Sequence, residues 1–291
     1  MPRTTLALTS FVSGEFSPKM DGRTDFEKYS SGAKTLENFL VHPQGAATRR
    51  VGTQFIAEVK SSAAKTRLIP FEFSTTQTYI LEFGNNYIRF FKDKGQILSG
   101  GSAYEISSPY LTAELFDIKF AQSADVMYIT HPNHEVMKLS RTGHTSWTLA
   151  QVDFTDGPYL ATNTTATTLT PAQAATGSNI NITASAVTGI NGGAGFQTTD
   201  VGRIISFNGG KAKITARSST TVVACTITTA FTNTNATAAF NLGAFSDTTG
   251  HPSCVSFFEQ RLVFAGTTDE PQTLFFSKAG DYENMTTGTN A

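Results

Sequence analysis

Two histidines three positions apart raise the first chemical question. His131 and His134 stand in the run His-Pro-Asn-His. Paired imidazoles at short spacing are what a zinc-type centre uses, but such a centre needs a third protein ligand. None lies nearby in sequence, and Pro132 and Asn133 make the stretch a turn. The expectation is therefore a solvent-exposed hairpin end, with no metal ligand and no cofactor-binding residue. A second chemistry would need two carboxylates flanking a glycosidic bond. Asp125, Glu135, Glu114 and Asp117 could supply them, yet acidic residues are common in β turns. Nucleophilic acyl chemistry has no G-x-S-x-G elbow to rest on. Phosphate binding has no G-x-x-x-x-G-K-[ST] loop. Gly192, Gly193 and Gly195 lie in a Thr-rich stretch and open no predicted helix, so they read as a flexible turn. No catalytic residue is expected, and the chain reads as a non-enzyme.

The remaining candidates are contacts rather than catalysts. Arg49 and Arg50 sit in a glycine-punctuated turn. No basic stripe surrounds them, so a salt bridge or subunit contact is favoured over phosphate binding. Phe11, Phe16, Phe26 and Tyr29 are spaced along the N-terminal stretch and read as further subunit-contact residues. Phe90-Phe91, Phe257-Phe258 and Phe275-Phe276 are doubled aromatics. In a strand, neighbours point to opposite faces, so each pair covers both faces of a sheet. That suits sheets packed face to face.

The elements that must carry these residues are short strands. From Leu115 to Trp147 the sequence alternates apolar segments with polar turns. Ile118 and Phe120 lead to Gln122, Ser123 and Asp125; Val126, Tyr128 and Ile129 lead to the His-Pro-Asn-His turn. Val136, Lys138 and Leu139 then lead through a glycine turn to Trp147. Four short antiparallel strands in about thirty residues resemble a propeller blade. An earlier set, QFIAEV, TRLIPFEF, TYILEF and YIRFF, gives a first blade, its last hairpin turned by Gly84, Asn85 and Asn86. The stretch from Cys254 to Ser277 gives part of a third. A closed propeller needs at least four, so the blades counted here are incomplete. Before them, Asp25 to Phe39 has apolar residues near helical spacing, which predicts a short helix weakened by Gly32.

Composition shifts near Leu160. From there to Gly250 threonine makes up about a quarter of the residues and charges almost vanish. Strand alternation continues, with turns at Asn208-Gly209-Gly210 and Ser218-Ser219, which predicts a small β-barrel or sandwich-like insertion. The expected fold is thus all-β, with incomplete β-propeller-like blades, an inserted small β-barrel or sandwich domain and an N-terminal arm. The expected divisions are an arm or clasp over 1–52, blades over 53–160, a Thr-rich β domain over 161–250, and a further partial blade and polar tail over 251–291.

The whole chain has 291 residues, 15% of them charged, and a formal net charge of −1. No global field draws it toward nucleic acid or an anionic membrane. Its two cysteines, Cys225 and Cys254, make no disulfide framework and read as buried thiols. No apolar run reaches the roughly 18 residues of a membrane span. The N-terminus is too weakly apolar and basic for a signal peptide.

Four phrases together carry a family resemblance. They are SGEFSPKMDGRTDFEKYSSGAKTLENFLVHPQGAATRRVGTQF, RLIPFEFSTTQTYILEFGNNYIRFF, TDVGRIISF and HPSCVSFFEQRLVFAGTTDEPQTLFFSKAGDYENM. The chain resembles the tail-tube nozzle proteins of short-tailed bacteriophages, the tail tubular protein B type. The resemblance implies a propeller with inserted small β domains and a homohexameric ring below the portal and adaptor. It implies an adaptor or portal-proximal tail protein and tail fibre or spike proteins as partners. Genomic DNA would pass through the lumen without sequence-specific binding. The location implied is the virion tail, after synthesis in the host cytoplasm. The alternative reading of the residues is a receptor- or glycan-binding propeller module, possibly a glycoside hydrolase.

Overall fold

The computed structural model describes residues 7–286. The first six residues and the last five, part of the polar tail, lie outside the described residues. The chain is all-β and divides between Phe55 and Ile56 into two compact units.

The N-terminal unit is built from turns and very short strands. Gly14–Glu15 pairs in parallel with Gly32–Ala33, and Phe39–Val41 pairs antiparallel with Ala47–Arg49. The helix expected over Asp25 to Phe39 is not formed. A 3-10 turn occupies Glu27–Ser31, and the chain then becomes extended. Gly32 explains the stop. A Cβ there would lie 2.2 Å from the Phe16 ring, so the glycine is where that ring rests on the backbone. Packing of Phe16 over Gly32 replaces the helical face that the spacing suggested.

Besides a two-stranded ladder of Leu98–Ser99 with Ser102–Ala103, the second unit contains three antiparallel sheets packed one on another and a further sheet that curls on itself. The first sheet runs in the order Glu105–Ser107, Tyr87–Lys92, Gln77–Gly84, Arg67–Ser74, with Gly95–Gln96 beside Tyr87–Lys92. Arg67–Ser74 is an edge strand, which tolerates the missing N–H of Pro70. The expected strand QFIAEV is absent: residues 51–59 have no ladder partner. The fourth strand, Glu105–Ser107, adds instead at the opposite edge, beside Tyr87–Lys92. Ile56 and Val59 instead line a cleft of about 510 Å³ with Leu68 and Ile80 on the sheet's outer side. Nothing pairs the backbone there.

The second sheet has the four antiparallel strands expected between Leu115 and Trp147. Lys119–Ser123, Val126–His131, His134–Gly143 and Ser146–Gln151 form a four-stranded meander in chain order. Its two faces belong to different cores. Met127, Ile129, Leu139 and Trp147 pack with Phe71, Tyr79, Leu81 and Phe90 of the first sheet. Tyr128 and Val136 face the other way, toward Leu262, Phe264 and Phe275. This is the period-two rule made visible: one strand feeds two interfaces. Trp147 anchors the first interface. Its ring stacks on Phe90 at 4.5 Å and meets Phe71 and Tyr79 edge-on at 4.8 and 5.2 Å.

The third sheet has three strands, Cys254–Phe258, Arg261–Ala265 and Leu274–Phe276. Its first hairpin turns on Glu259 and Gln260, both at positive φ (45° and 61°). Here the doubled aromatics depart from expectation. Phe257 and Phe275 turn inward, but Phe258 and Phe276 are 58% and 39% exposed, so the outer face is uncovered among the described residues. The first sheet is likewise open on its outside at Leu68 and Ile80. Only the middle sheet has both faces covered. Cys254, expected to be buried, sits on the exposed face, while Cys225 is buried as expected.

Between the second and third sheets the chain leaves through Pro158–Leu160 and returns through Leu242–Ala244. The two segments run side by side, joined by Leu160 N–H to Leu242 C=O at 2.8 Å and Ala244 N–H to Pro158 C=O at 2.8 Å. This stem carries a six-stranded sheet in the order Leu169–Pro171, Gly177–Ala184, Val222–Thr229, Gly210–Arg217, Ile204–Phe207, Phe240–Leu242. Leu169 and Thr237 exchange two backbone hydrogen bonds (2.9 and 3.1 Å), so the sheet curls into a half-barrel whose first strand meets the segment just before its last. Alternate residues fill the inside, including Ile182, Ile205, Ile214, Val223, Phe231 and Phe240. The predicted Asn208-Gly209 hairpin turn is formed, both residues at positive φ.

Candidate functional site

The six residues expected at subunit contacts all lie in the N-terminal unit. Phe16 stacks on Tyr29 (centroids 5.6 Å apart, planes 12° apart) and meets Phe26 edge-on at 6.5 Å. These rings contact one another within the unit. Phe11 is half-buried, its N–H bonded to Gly45 C=O at 2.8 Å. Arg49 ends a strand and is exposed; Arg50 is exposed and donates to Asn38 Oδ1 at 2.6 Å. No hydrophobic side chain of residues 7–55 is buried, and Leu8, Val12, Phe26, Phe39, Leu40 and Val51 are all exposed. The unit has apolar side chains but no core of its own.

The His-Pro-Asn-His turn differs from expectation. It ends the hairpin between Val126–His131 and His134–Gly143 as predicted, but His131 is only 1% exposed. The third group missing from the local sequence also arrives. Glu114 lies in the turn that leads into strand Lys119–Ser123, and Lys119 pairs with Thr130. That register returns residues just after 130 to those just before 119. Glu114, His131 and His134 thus place one ligand-type atom each within 4.8 Å of one another. The signal was present in the sequence, in the hairpin register rather than in the motif.

The details of this cluster are specific. Glu114 Oε2 accepts from the Leu111 N–H at 2.8 Å and lies 2.8 Å from His134 Nε2. Burial raises the Glu114 carboxyl, but the Leu111 and His134 hydrogen bonds outweigh it and hold the group below the usual range. His131 Nδ1 accepts from the Asn133 N–H at 3.1 Å, so the neutral ring carries its proton on Nε2. That Nε2 is buried and has no hydrogen-bond partner among the described residues. Burial, helped by nearby His134, lowers the His131 pKa and keeps the ring neutral. Tyr110, fully buried, meets His134 edge-on at 5.2 Å and His131 at 6.1 Å, and its hydroxyl is also without a partner.

Of the carboxylates considered for glycoside chemistry, Asp125 and Glu114 are separated by the same strand. Asp125 precedes Val126–His131 and pairs with Arg141 at 2.8 Å. Glu114 belongs to the far end. Six residues of strand span roughly 20 Å, well beyond the separation two catalytic carboxylates use. Asp125 and Glu114 therefore do not form such a pair.

A second polar node went unnoticed in the sequence. Asp156, in the approach to the stem, is 4% exposed. It accepts from Tyr159 Oη at 2.6 Å, from Lys211 Nζ of the curled sheet and from Thr286 Oγ1. Burial raises its carboxyl, but the hydrogen bonds from Lys211, Thr286 and Tyr159 together hold it below the usual range. Asp156 ties three parts of the chain together, which is a structural role. The chain matches no protein-family model, and no curated protein is similar enough to it to count as a relative.

Proposed function

We propose that this chain is a structural subunit of a bacteriophage tail nozzle. It acts in a ring-shaped homo-oligomer that conducts the genome and performs no catalysis. What carries this reading is the resemblance of four sequence phrases to those of tail-tube nozzle proteins, strongest in 13–55 and 251–285. The sheet stack is compatible with it: propeller blades pack face to face, as the three sheets do around the middle one. The N-terminal unit supports it as well. A segment with exposed apolar side chains and no core gains stability by packing on another surface, and in a ring that surface is a neighbouring subunit. The low net charge also suits a conduit, because tight phosphate contacts would slow passage of DNA.

Electron microscopy of the purified protein tests the reading. The expected result is a six-fold ring with an open lumen. A monomer or trimer that binds or cleaves polysaccharide would overturn it in favour of a glycan-binding module. The neighbouring reading frames give a cheaper check: portal and adaptor genes upstream are expected.

A further inference from the structure

We propose that Glu114, His131 and His134 form a structural binding site for a zinc-type divalent cation. It would staple the turn after the first sheet to the hairpin end of the second. Two imidazoles and one carboxylate are the donor set that suits zinc and its first-row neighbours. Their ligand atoms lie within 4.8 Å of one another. Tetrahedral zinc with bonds near 2.05 Å holds ligands roughly 3.4 Å apart, so Glu114 Oε2 and His134 Nε2, now hydrogen-bonded at 2.8 Å, would open slightly while His131 closes toward them. Three different backbone positions converge here, and a hairpin register brings them together.

Two further observations point to a ligand. His131 Nε2 is buried with no partner, and so is the hydroxyl of Tyr110, whose ring packs on both imidazoles. Buried polar groups without partners are rare, and two beside one ligand-type cluster rarer still. A cation would engage the first directly. Tyr110, whose ring packs on both imidazoles, would supply the outer-shell hydroxyl that orients a ligand or a metal-bound water.

Loading has a structural consequence. In the cation-free ring Nδ1 accepts from the Asn133 N–H, so the proton is on Nε2. Coordination through Nε2 moves that proton to Nδ1, and the Asn133 N–H must then leave the ring. The Pro132–Asn133 turn is therefore expected to shift on binding. The proposal does not depend on the nozzle reading, since a structural cation site would serve either function.

The test uses the full chain after treatment with a chelator. Zinc is titrated by calorimetry, and cobalt(II) by its visible absorption. One equivalent should bind, cobalt should give the intense bands of a four-coordinate centre, and zinc should raise the melting temperature. Glu114→Gln and His134→Ala, both at half-buried side chains, should each weaken binding at least about tenfold. His42→Ala, in the N-terminal unit, should leave it unchanged. The wild-type titration decides even if a variant misfolds: no saturable one-to-one binding overturns the proposal. Binding that survives both folded variants, or that His42→Ala removes, overturns it equally.

Discussion

In the curled sheet on the stem, each strand turns one face inward. Leu169 and Thr237 bring the two edges together, so one core serves the whole domain. In the stack of three sheets, the middle layer has both faces covered, but the outer layers end on Leu68 and Ile80 at one side and on Phe258, Leu274 and Phe276 at the other. A curled sheet disposes of its edges and its apolar face within itself. A stack does so only for its interior layers and passes the requirement outward. The half-barrel sheet can therefore be poor in charge and rich in threonine and still enclose a core. The stack presents apolar faces that an assembly would cover.

The largest effect should come from the cores, and it separates the two regions. Phe264 is fully buried between the second and third sheets, and Phe240 is almost fully buried inside the barrel. Truncating either to alanine should cost about 3–5 kcal/mol. Trp147, the single tryptophan, lies in the stack, so its fluorescence reports on that region alone. Phe264→Ala should lower the fluorescence midpoint in denaturant. Phe240→Ala should lower the circular-dichroism midpoint and leave the fluorescence midpoint in place. If Phe240→Ala moves both by the same amount, the barrel and stack unfold as one and the contrast between them fails.

A smaller effect is expected inside the barrel wall. A Cβ on Gly210 would lie 2.4 Å from the Phe231 ring and 2.7 Å from its backbone N. The ring could move but the backbone could not do so freely, so Gly210→Ala should cost roughly 1–3 kcal/mol. The same substitution at Gly95 meets nothing closer than 3.7 Å and should cost less. Equal losses at the two positions, measured by thermal unfolding, would remove the steric explanation.

These contrasts also show what the sequence made legible. Where strand alternation came with a turn that accepts positive φ, as at Asn85-Asn86 and Asn208-Gly209, hairpin and register followed directly. Residues 54–59 are also apolar-rich, but composition says nothing of whether a neighbouring backbone is free to pair. The helix expected over Asp25 to Phe39 failed for a tertiary reason: Phe16 comes from elsewhere to lie over Gly32. The histidine pair was visible, whereas Glu114 required the pairing of Lys119 with Thr130 to bring it in. For the insertion the expectation was a small barrel or sandwich, and what turns its single sheet into a half-barrel is long-range contact, as between Leu169 and Thr237, 68 positions apart. Local pattern gave elements; what each element met had to come from the fold.

The node that joins the two regions makes a pH prediction. The Asp156 carboxyl is held below its ordinary value in the folded chain and returns to it on unfolding. Its contribution is therefore complete above about pH 4 and is lost as pH falls through the folded value. The wild-type melting temperature should fall across that acid range. Asp156→Asn should be less stable at pH 7, where Lys211 loses its charged partner, and should show a shallower acid decline. An unchanged decline in the variant would mean that other carboxylates carry the acid sensitivity and that the tie between barrel and stack is not electrostatic.

The smallest effect on the isolated chain is the most informative about the uncovered faces. Leu274 is 58% exposed on the outer side of the third sheet. Leu274→Ser should change the stability of the monomer by no more than about 0.5 kcal/mol, because an exposed side chain leaves no cavity. Under the nozzle proposal this face is available to pack on another layer, so the same substitution should weaken ring formation in microscopy or sedimentation. A substitution silent in both measurements would leave the face as ordinary exposed surface. A loss as large as that of Phe264→Ala in the monomer would mean that the face is already covered within the folded chain. The stack would then be closed like the barrel, and the contrast between the two regions would disappear.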